Sequence, residues 1–319
     1  MERFCLTAVI FFVACAGATA QSFPTKPIRF LLPFGPGGIA DITARQVAQK
    51  MSENLGQQVV VENRPAAGMI VSAMAALQAP ADGYTMLLGG NGTAISHSLF
   101  KSLPYNILVD FTQVSTLAFS DLVLISGPNS RFKSVPEVLA YARGNPGALN
   151  LGSVIVGSTQ NLAAELFKAR ARIDVQIVPY KATPDVVLGV RSQNLDLAFE
   201  ILPAVISQVK SNSVKVLGVA SAKRSTVLPG VPTITEGGVA GYLAYSWNAV
   251  HVRSGTPRPL VERLSKEIVA ALAAPDVQEK LRDLGFDARG STPEETRALM
   301  IAEIAKWKTV IESAGIPQQ

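Results

Sequence analysis

Short apolar, β-branched runs at residues 30–34, 59–62 and 84–88 alternate with segments whose apolar positions recur at helical spacing, 42–55 and 69–78. The first pattern predicts buried strands and the second amphipathic helices. The same alternation resumes downstream. Helices are expected at 135–143, Thr159–Ala171, 184–192 and 204–211, and strands at 149–153, 175–179, 195–199 and 214–220. The remainder is mostly helical, over 257–273, 275–284 and Pro293–Ser313. Thr292-Pro293-Glu294-Glu295 is a strong helix start: a Thr cap, Pro in the first turn and acids against the dipole. Strand–helix alternation of this kind predicts an α/β fold with largely parallel sheet, whose ligands collect at the carboxyl ends of the strands.

Two longer extended stretches, 112–126 and 243–252, break the alternation. They read as crossings between two α/β lobes joined by a hinge. The expected organisation is residues 21–122 plus 243–319 in one lobe and 123–242 in the other.

Residues 1–20 read as a signal peptide. Arg3 precedes an almost wholly apolar core, and Ala18-Thr19-Ala20 is a small-x-small cleavage site. Val13-Ala14-Cys15-Ala16 loosely matches a lipoprotein box that would attach a lipid to Cys15, but Phe12 suits such a box poorly. A free periplasmic form is the preferred reading. Both cysteines, Cys5 and Cys15, lie in this segment, so the mature chain is expected to hold no disulfide or thiolate. About 300 residues remain, enough for two ordinary domains. The net charge of +5 is spread along the chain and aromatics are few, which argues against nucleic-acid binding.

Catalytic apparatus is not apparent. The two histidines, His97 and His251, are far apart and show no metal spacing; the first reads as a helix residue and the second as a strand residue. There is no Gly-x-Ser-x-Gly elbow, no dinucleotide fingerprint and no P-loop. No cofactor and no metal are expected. Two loops can instead hold an anion. Pro33-Phe34-Gly35-Pro36-Gly37-Gly38-Ile39-Ala40-Asp41 runs from a strand into a helix start, where free N–H groups and the dipole favour negative charge. Ser153 with Gly157, Ser158 and Thr159 repeats the plan in the second half. Ser158 and Thr159 are also ordinary helix caps, and Asp41 is also an ordinary dipole partner. Lys181 sits at a strand end, either neutralising a ligand or simply exposed, and Glu200, at the carboxyl end of another strand, either meets a ligand amine or hydroxyl or, the preferred reading, is a solvated rim residue.

Further residues carry a resemblance. Pro24-Thr25-Lys26-Pro27-Ile28, the loop at 33–41 with Ala44-Arg45, and Val59-Val60-Val61-Glu62-Asn63-Arg64-Pro65 open a series that Asp82-Gly83-Tyr84 continues. Val178-Pro179-Tyr180-Lys181, Ser221-Ala222-Lys223-Arg224-Ser225, Leu228-Pro229-Gly230, Trp247 and Gly255-Thr256-Pro257 complete it. Together they resemble the Bug-type substrate-binding proteins of tripartite tricarboxylate transporters.

The resemblance implies a two-lobed periplasmic binding protein (type II, Venus-flytrap), monomeric and without enzymatic activity. It would close on a small carboxylate and deliver it to a permease of one large and one small membrane subunit. A periplasmic sensor for a signalling partner is the alternative, with a periplasmic enzyme behind it. Carried onto this chain, the ligand-binding positions are Pro33, Phe34, Gly35, Gly38, Ile39, Ala40, Asp41, Gly90, Asn91, Ser153, Gly157, Ser158, Thr159, Lys181 and Ala182. The chain departs from the family pattern at Ile155, Asn161, Ala182 and Gly189. Val154-Ile155-Val156 is expected to make the pocket greasier, admitting an aromatic or short aliphatic monocarboxylate as readily as a citrate-like anion.

Overall fold

The computed structural model describes residues 23–66 and 69–319. The expected signal segment, with Cys5 and Cys15, lies outside the described residues. In chain order the elements are β1 (Ile28–Leu32), α1 (Ile39–Leu55), β2 (Val59–Asn63), α2 (Ile70–Gln78), β3 (Thr85–Gly90), α3 (Asn91–Leu99) and β4 (Phe111–Ser126). There follow α4 (Val135–Gly144), β5 (Asn150–Val154), α5 (Thr159–Ala171), β6 (Gln176–Tyr180), α6 (Thr183–Arg191), β7 (Leu197–Ile201), α7 (Leu202–Lys210) and β8 (Lys215–Val219). The chain ends with β9 (Tyr245–Arg253), α8 (Arg258–Ala273), α9 (Pro275–Asp283), β10 (Phe286–Ala288) and α10 (Pro293–Ser313).

The fold is two-lobed, and one long strand joins its halves. The first half of β4, Phe111 to Asp121, pairs antiparallel with β9, while Leu122 to Ile125 pair with β7. The strand order β2-β1-β3-β9-β4-β7-β5-β6 therefore runs through both lobes. Within each lobe the pairs β1–β2, β1–β3, β5–β6 and β5–β7 are parallel, so their helices begin at one edge. Chain return is made just before β9, where Ala244 N–H still bonds Ala220 O at 2.9 Å.

Helix α1 forms because Ala40, Ala44, Val47, Ala48 and Met51 lie on one face and are all buried. Gly56, in the left-handed region, ends it. At α10 the expected start is present as a reciprocal pair: Thr292 Oγ1 accepts from Glu295 N–H and Glu295 accepts from Thr292 N–H. Phe167, Phe199 and Tyr242 pack with ring centroids 5.6–5.8 Å apart in the second lobe. Buried side chains of this size stabilise a fold by roughly 1.5–3 kcal/mol each.

Two elements depart from the sequence reading. The strand expected to end at residue 88 runs on through Gly89 and Gly90, and α3 starts at once. Gly90 permits this through φ +144; a Cβ there would lie 2.1 Å from the Trp247 carbonyl oxygen. Strand β10 carries no readable pattern because its three residues gain order only by pairing with β4.

Candidate functional site

The strand ends and helix starts of both lobes surround a cavity of about 500 Å³. The first loop contributes Phe34, Gly35, Gly38, Ile39 and Ala40 to its wall. From the β3–α3 junction come Gly90 and Asn91, and the second lobe adds Thr159 and Ile201.

The first loop is held from behind. Buried Asp41 accepts from Gly37 N–H at 2.9 Å, Asn63 Nδ2 at 2.8 Å and Arg45 Nε at 2.9 Å. Asn63 also donates to Phe34 O at 3.0 Å and accepts from Arg45 Nη2 at 2.8 Å. Burial alone would raise the Asp41 pKa, but the bonds from Arg45, Gly37 and Asn63 outweigh it and hold the carboxyl below its ordinary value. Asp41 is thus a carboxylate that shapes the cradle rather than one of its wall residues. Pro33 is likewise buried and off the wall. Gly38 caps α1 without a side chain, so the helix start faces the cavity undecorated.

The second loop spends its polar groups on itself. Ser158 Oγ accepts from Asn161 N–H at 3.1 Å, and Asn161 Oδ1 accepts from Gly157 N–H at 3.0 Å. Asn161 Nδ2 donates to Ser153 Oγ at 3.3 Å. Ser153, Gly157 and Ser158 accordingly stand behind Thr159 and not on the wall. Lys181 and Ala182, at the start of α6, are exposed and lie off the wall. Ile155 and Val156 are exposed at 60% and 45% and also lie off it, so the expected greasy contribution of that loop is not made. The apolar wall comes instead from Met69, Ile201 and Trp247.

The lobes touch across the cavity. Asn91 Nδ2 donates to Thr159 Oγ1 at 2.7 Å, and Asn91 Oδ1 accepts from Trp307 Nε1 at 2.8 Å. Trp307 shares that proton with Glu303 at 2.9 Å, and Glu303 pairs with Lys306 at 2.6 Å. Gly157 is pressed against Leu99 so closely that a Cβ would meet its Cδ2 at 2.6 Å. Burial lowers the Lys306 pKa, against the favourable pull of Glu303.

Glu200 corrects the sequence reading: it is wholly buried, not a solvated rim residue. At the end of β7 its Oε2 accepts from Gln160 Nε2 at 3.2 Å and Thr183 Oγ1 at 2.9 Å, while Oε1 has no partner among the described residues. Burial raises its pKa to about 7 despite those bonds. His251 lies in β9 as read, fully buried, and burial lowers its pKa to about 3.

Sequence reasoning missed Met69, Gly89, Gly92, Thr93, Ile201, Ser246, Trp247 and Asn248 as wall residues. Trp247 appeared in the resemblance without a role. The signal that could have found it is the antiparallel pairing of β9 with β3, which sets Asn248 opposite Gly90. Among the described residues no group of His, Cys, Asp and Glu is arranged to hold a metal, and no helix is long and apolar enough to cross a membrane.

Residues 43–316 match the family described as "Tripartite tricarboxylate transporter family receptor". The chain belongs to that family. Among receptors of this kind it is similar to BugT of Bordetella pertussis, 33% identical with 97% of each chain covered. It also resembles Rpa4515 of R. palustris, solved with adipate, at TM-score 0.80 and 33% identity over 92% of this chain and 99% of that one. MatC from Rhodopseudomonas palustris, solved with bound malate, matches at TM-score 0.74 and 28% identity over 91% of this chain and 100% of that one. The family is one of solute receptors, and this tripartite transporter receptor shares their two-lobed architecture.

Proposed function

We propose that the protein is a periplasmic receptor that closes its two lobes on a small carboxylate and passes it to a membrane permease of one large and one small subunit. The observation that carries this reading is the cavity itself. It is walled by the open start of α1 on one side and by Thr159 on the other, with Asn91 bonded across. A helix start supplies oriented N–H donors and a positive dipole end, which suits a carboxylate without needing a charged side chain. Closure around a ligand is a shift between open and closed populations, and the permease would read the closed form. The adipate and malate of the solved relatives support the ligand class. The Pro33, Asp41, Ser153, Gly157 and Ser158 positions act here by shaping the two loops.

The reading is tested by unfolding the protein, removing bound solute, refolding it and measuring its melting temperature against mono-, di- and tricarboxylates, amines and sugars. At least one carboxylate is expected to raise the melting temperature. Stabilisation by amines or sugars alone would refute the carboxylate reading. Delivery is tested separately: deleting the receptor should abolish uptake of the stabilising solute by cells that carry the permease.

A further inference from the structure

We propose that Trp307, a buried residue of α10 behind the cavity wall, is a positioning residue for the ligand: acting through Asn91, it fixes the Thr159 hydroxyl as a donor to a ligand oxygen. The inference rests on the carboxylate reading above and deepens it.

The direction of the hydrogen bonds carries it. An indole N–H can only donate, whereas a side-chain amide has an accepting oxygen at one tip and a donating NH2 at the other. Trp307 Nε1 lies 2.8 Å from Asn91 Oδ1, so the amide oxygen must face the indole and the NH2 must face away. On that far side Asn91 Nδ2 lies 2.7 Å from Thr159 Oγ1. The threonine oxygen is thereby the acceptor, and its own proton is left to be given elsewhere. No acceptor for it is present among the described residues. Thr159 is half-buried and stands on the cavity wall, so the cavity is where that proton is offered, and a carboxylate oxygen there accepts it.

The far end of this chain of bonds is fixed. Trp307 is fully buried and also donates to Glu303 Oε2 at 2.9 Å. Glu303 is itself buried and paired with Lys306, whose ammonium lies 4.3 Å from the Trp307 ring centroid and 4.8 Å from that of Tyr245. Asn91 is buried at the start of α3, so no water competes for its amide. Leu99 at the end of α3 presses on Gly157, which keeps the starts of α3 and α5 in register. Hydrogen bonds linked in series in a low-dielectric interior polarise one another, so the indole strengthens the donor at the other end as well as orienting it. Asn91 and Thr159 stand on opposite sides of the cleft. The donor is therefore set only where the two sides meet, and the ligand oxygen becomes the last link.

The test begins with calorimetric titration of the stripped, refolded protein with adipate, malate, hexanoate and benzoate, and carries the tightest of the four through the variants. Thr159→Val keeps the shape without the hydroxyl, and Trp307→Phe keeps a ring without the N–H; each is expected to weaken binding about five-fold. Thr159→Ser restores the hydroxyl and should bind within about two-fold of the parent. The double variant Thr159→Val/Trp307→Phe should also lose only about five-fold, because both changes break one chain; independent effects would multiply to about twenty-five-fold. Multiplied effects, or a Thr159→Val variant that binds like the parent, overturn the inference while the carboxylate reading stands. If none of the four acids binds the parent, the carboxylate reading fails and takes the inference with it. A second measurement does not need a folded Trp307→Phe variant. Trp247 and Trp307 are the only tryptophans in the chain, so the indole N–H region of a 15N-labelled sample holds two resonances, which Trp247→Phe distinguishes. Saturating ligand should move the Trp307 resonance in the parent and move it less than half as far in Thr159→Val. An equal shift in both proteins, or none in the parent, overturns the inference.

Discussion

Two buried titrations of opposite sign should nearly cancel in this protein, and removing either one should expose the other. His251 has a folded pKa of about 3 against an unfolded value of 6.5. The unfolded chain therefore binds the extra proton first, and stability is lost as pH falls below 6.5. Between pH 7 and pH 5 this loss amounts to about 2 kcal/mol. Glu200 has a folded pKa of about 7 against an ordinary 4.5. Here the folded chain holds the proton more tightly, so its contribution is complete below 4.5 and is lost as pH rises through 7. Over the same interval, acidification from pH 7 to pH 5 restores about 2 kcal/mol. Urea unfolding at pH 5, 6 and 7 tests the balance. Glu200→Gln, which keeps the shape and removes the titration, should lose about 2 kcal/mol more than the parent between pH 7 and pH 5. His251→Gln should instead gain about 2 kcal/mol relative to the parent on the same descent. Exposed carboxylates contribute equally to parent and variant and drop out of the comparison. A Glu200→Gln variant whose pH dependence runs parallel to the parent would refute the buried titration, whatever its absolute stability.

Three further outcomes are expected. Gly90→Ala forces a left-handed backbone on a residue with a Cβ and drives that atom into the Trp247 carbonyl, so denaturant melts should show a loss of about 3 kcal/mol or more, or no folded protein at all. Asn91→Ala removes the bond to Thr159 across the cleft, and titration of the stabilising carboxylate should show roughly ten-fold weaker binding with a melting temperature changed by only a few degrees. Asp41→Ala leaves the Gly37 N–H and Asn63 without their acceptor and should cost about 2 kcal/mol in urea melts at pH 7; because the Asp41 pKa is lowered, this difference should shrink as pH falls below 3.8.

Periodicity and cap chemistry are local properties, and where they govern an element the chain announces it. Thr292-Pro293-Glu294-Glu295 sets the start of α10 through its own side chains, and Ser158 does the same for α5. Both helices begin where the sequence alone places them. The same is true of the loop at 33–41, whose Gly and Pro residues mark a strand-to-helix turn that nothing else explains. His97 reads as helical and lies in α3, but the start of that helix escaped because Gly90 reads as a strand breaker; only the packing of β9 against β3 makes that glycine the hinge between a strand and a helix.

The wall of the cavity was beyond the reach of sequence for a related reason. Ser153, Ser158 and Lys181 have the right chemistry for a ligand, but what they contact depends on which atoms the fold brings nearest. In Ser153 and Ser158 those atoms belong to their own loop. Glu200 looks like a rim carboxylate until α5 and α6 close over it. Trp247 and Ile201 look like core residues until two strands far apart in the chain end at one cavity. By itself, then, the sequence determined most of the order of strands and helices, the two strand-to-helix loops and the family they belong to, because each rests on neighbours a few residues apart. Tertiary structure alone decided which groups face the ligand, since burial and charge pairing are set by contacts between distant segments.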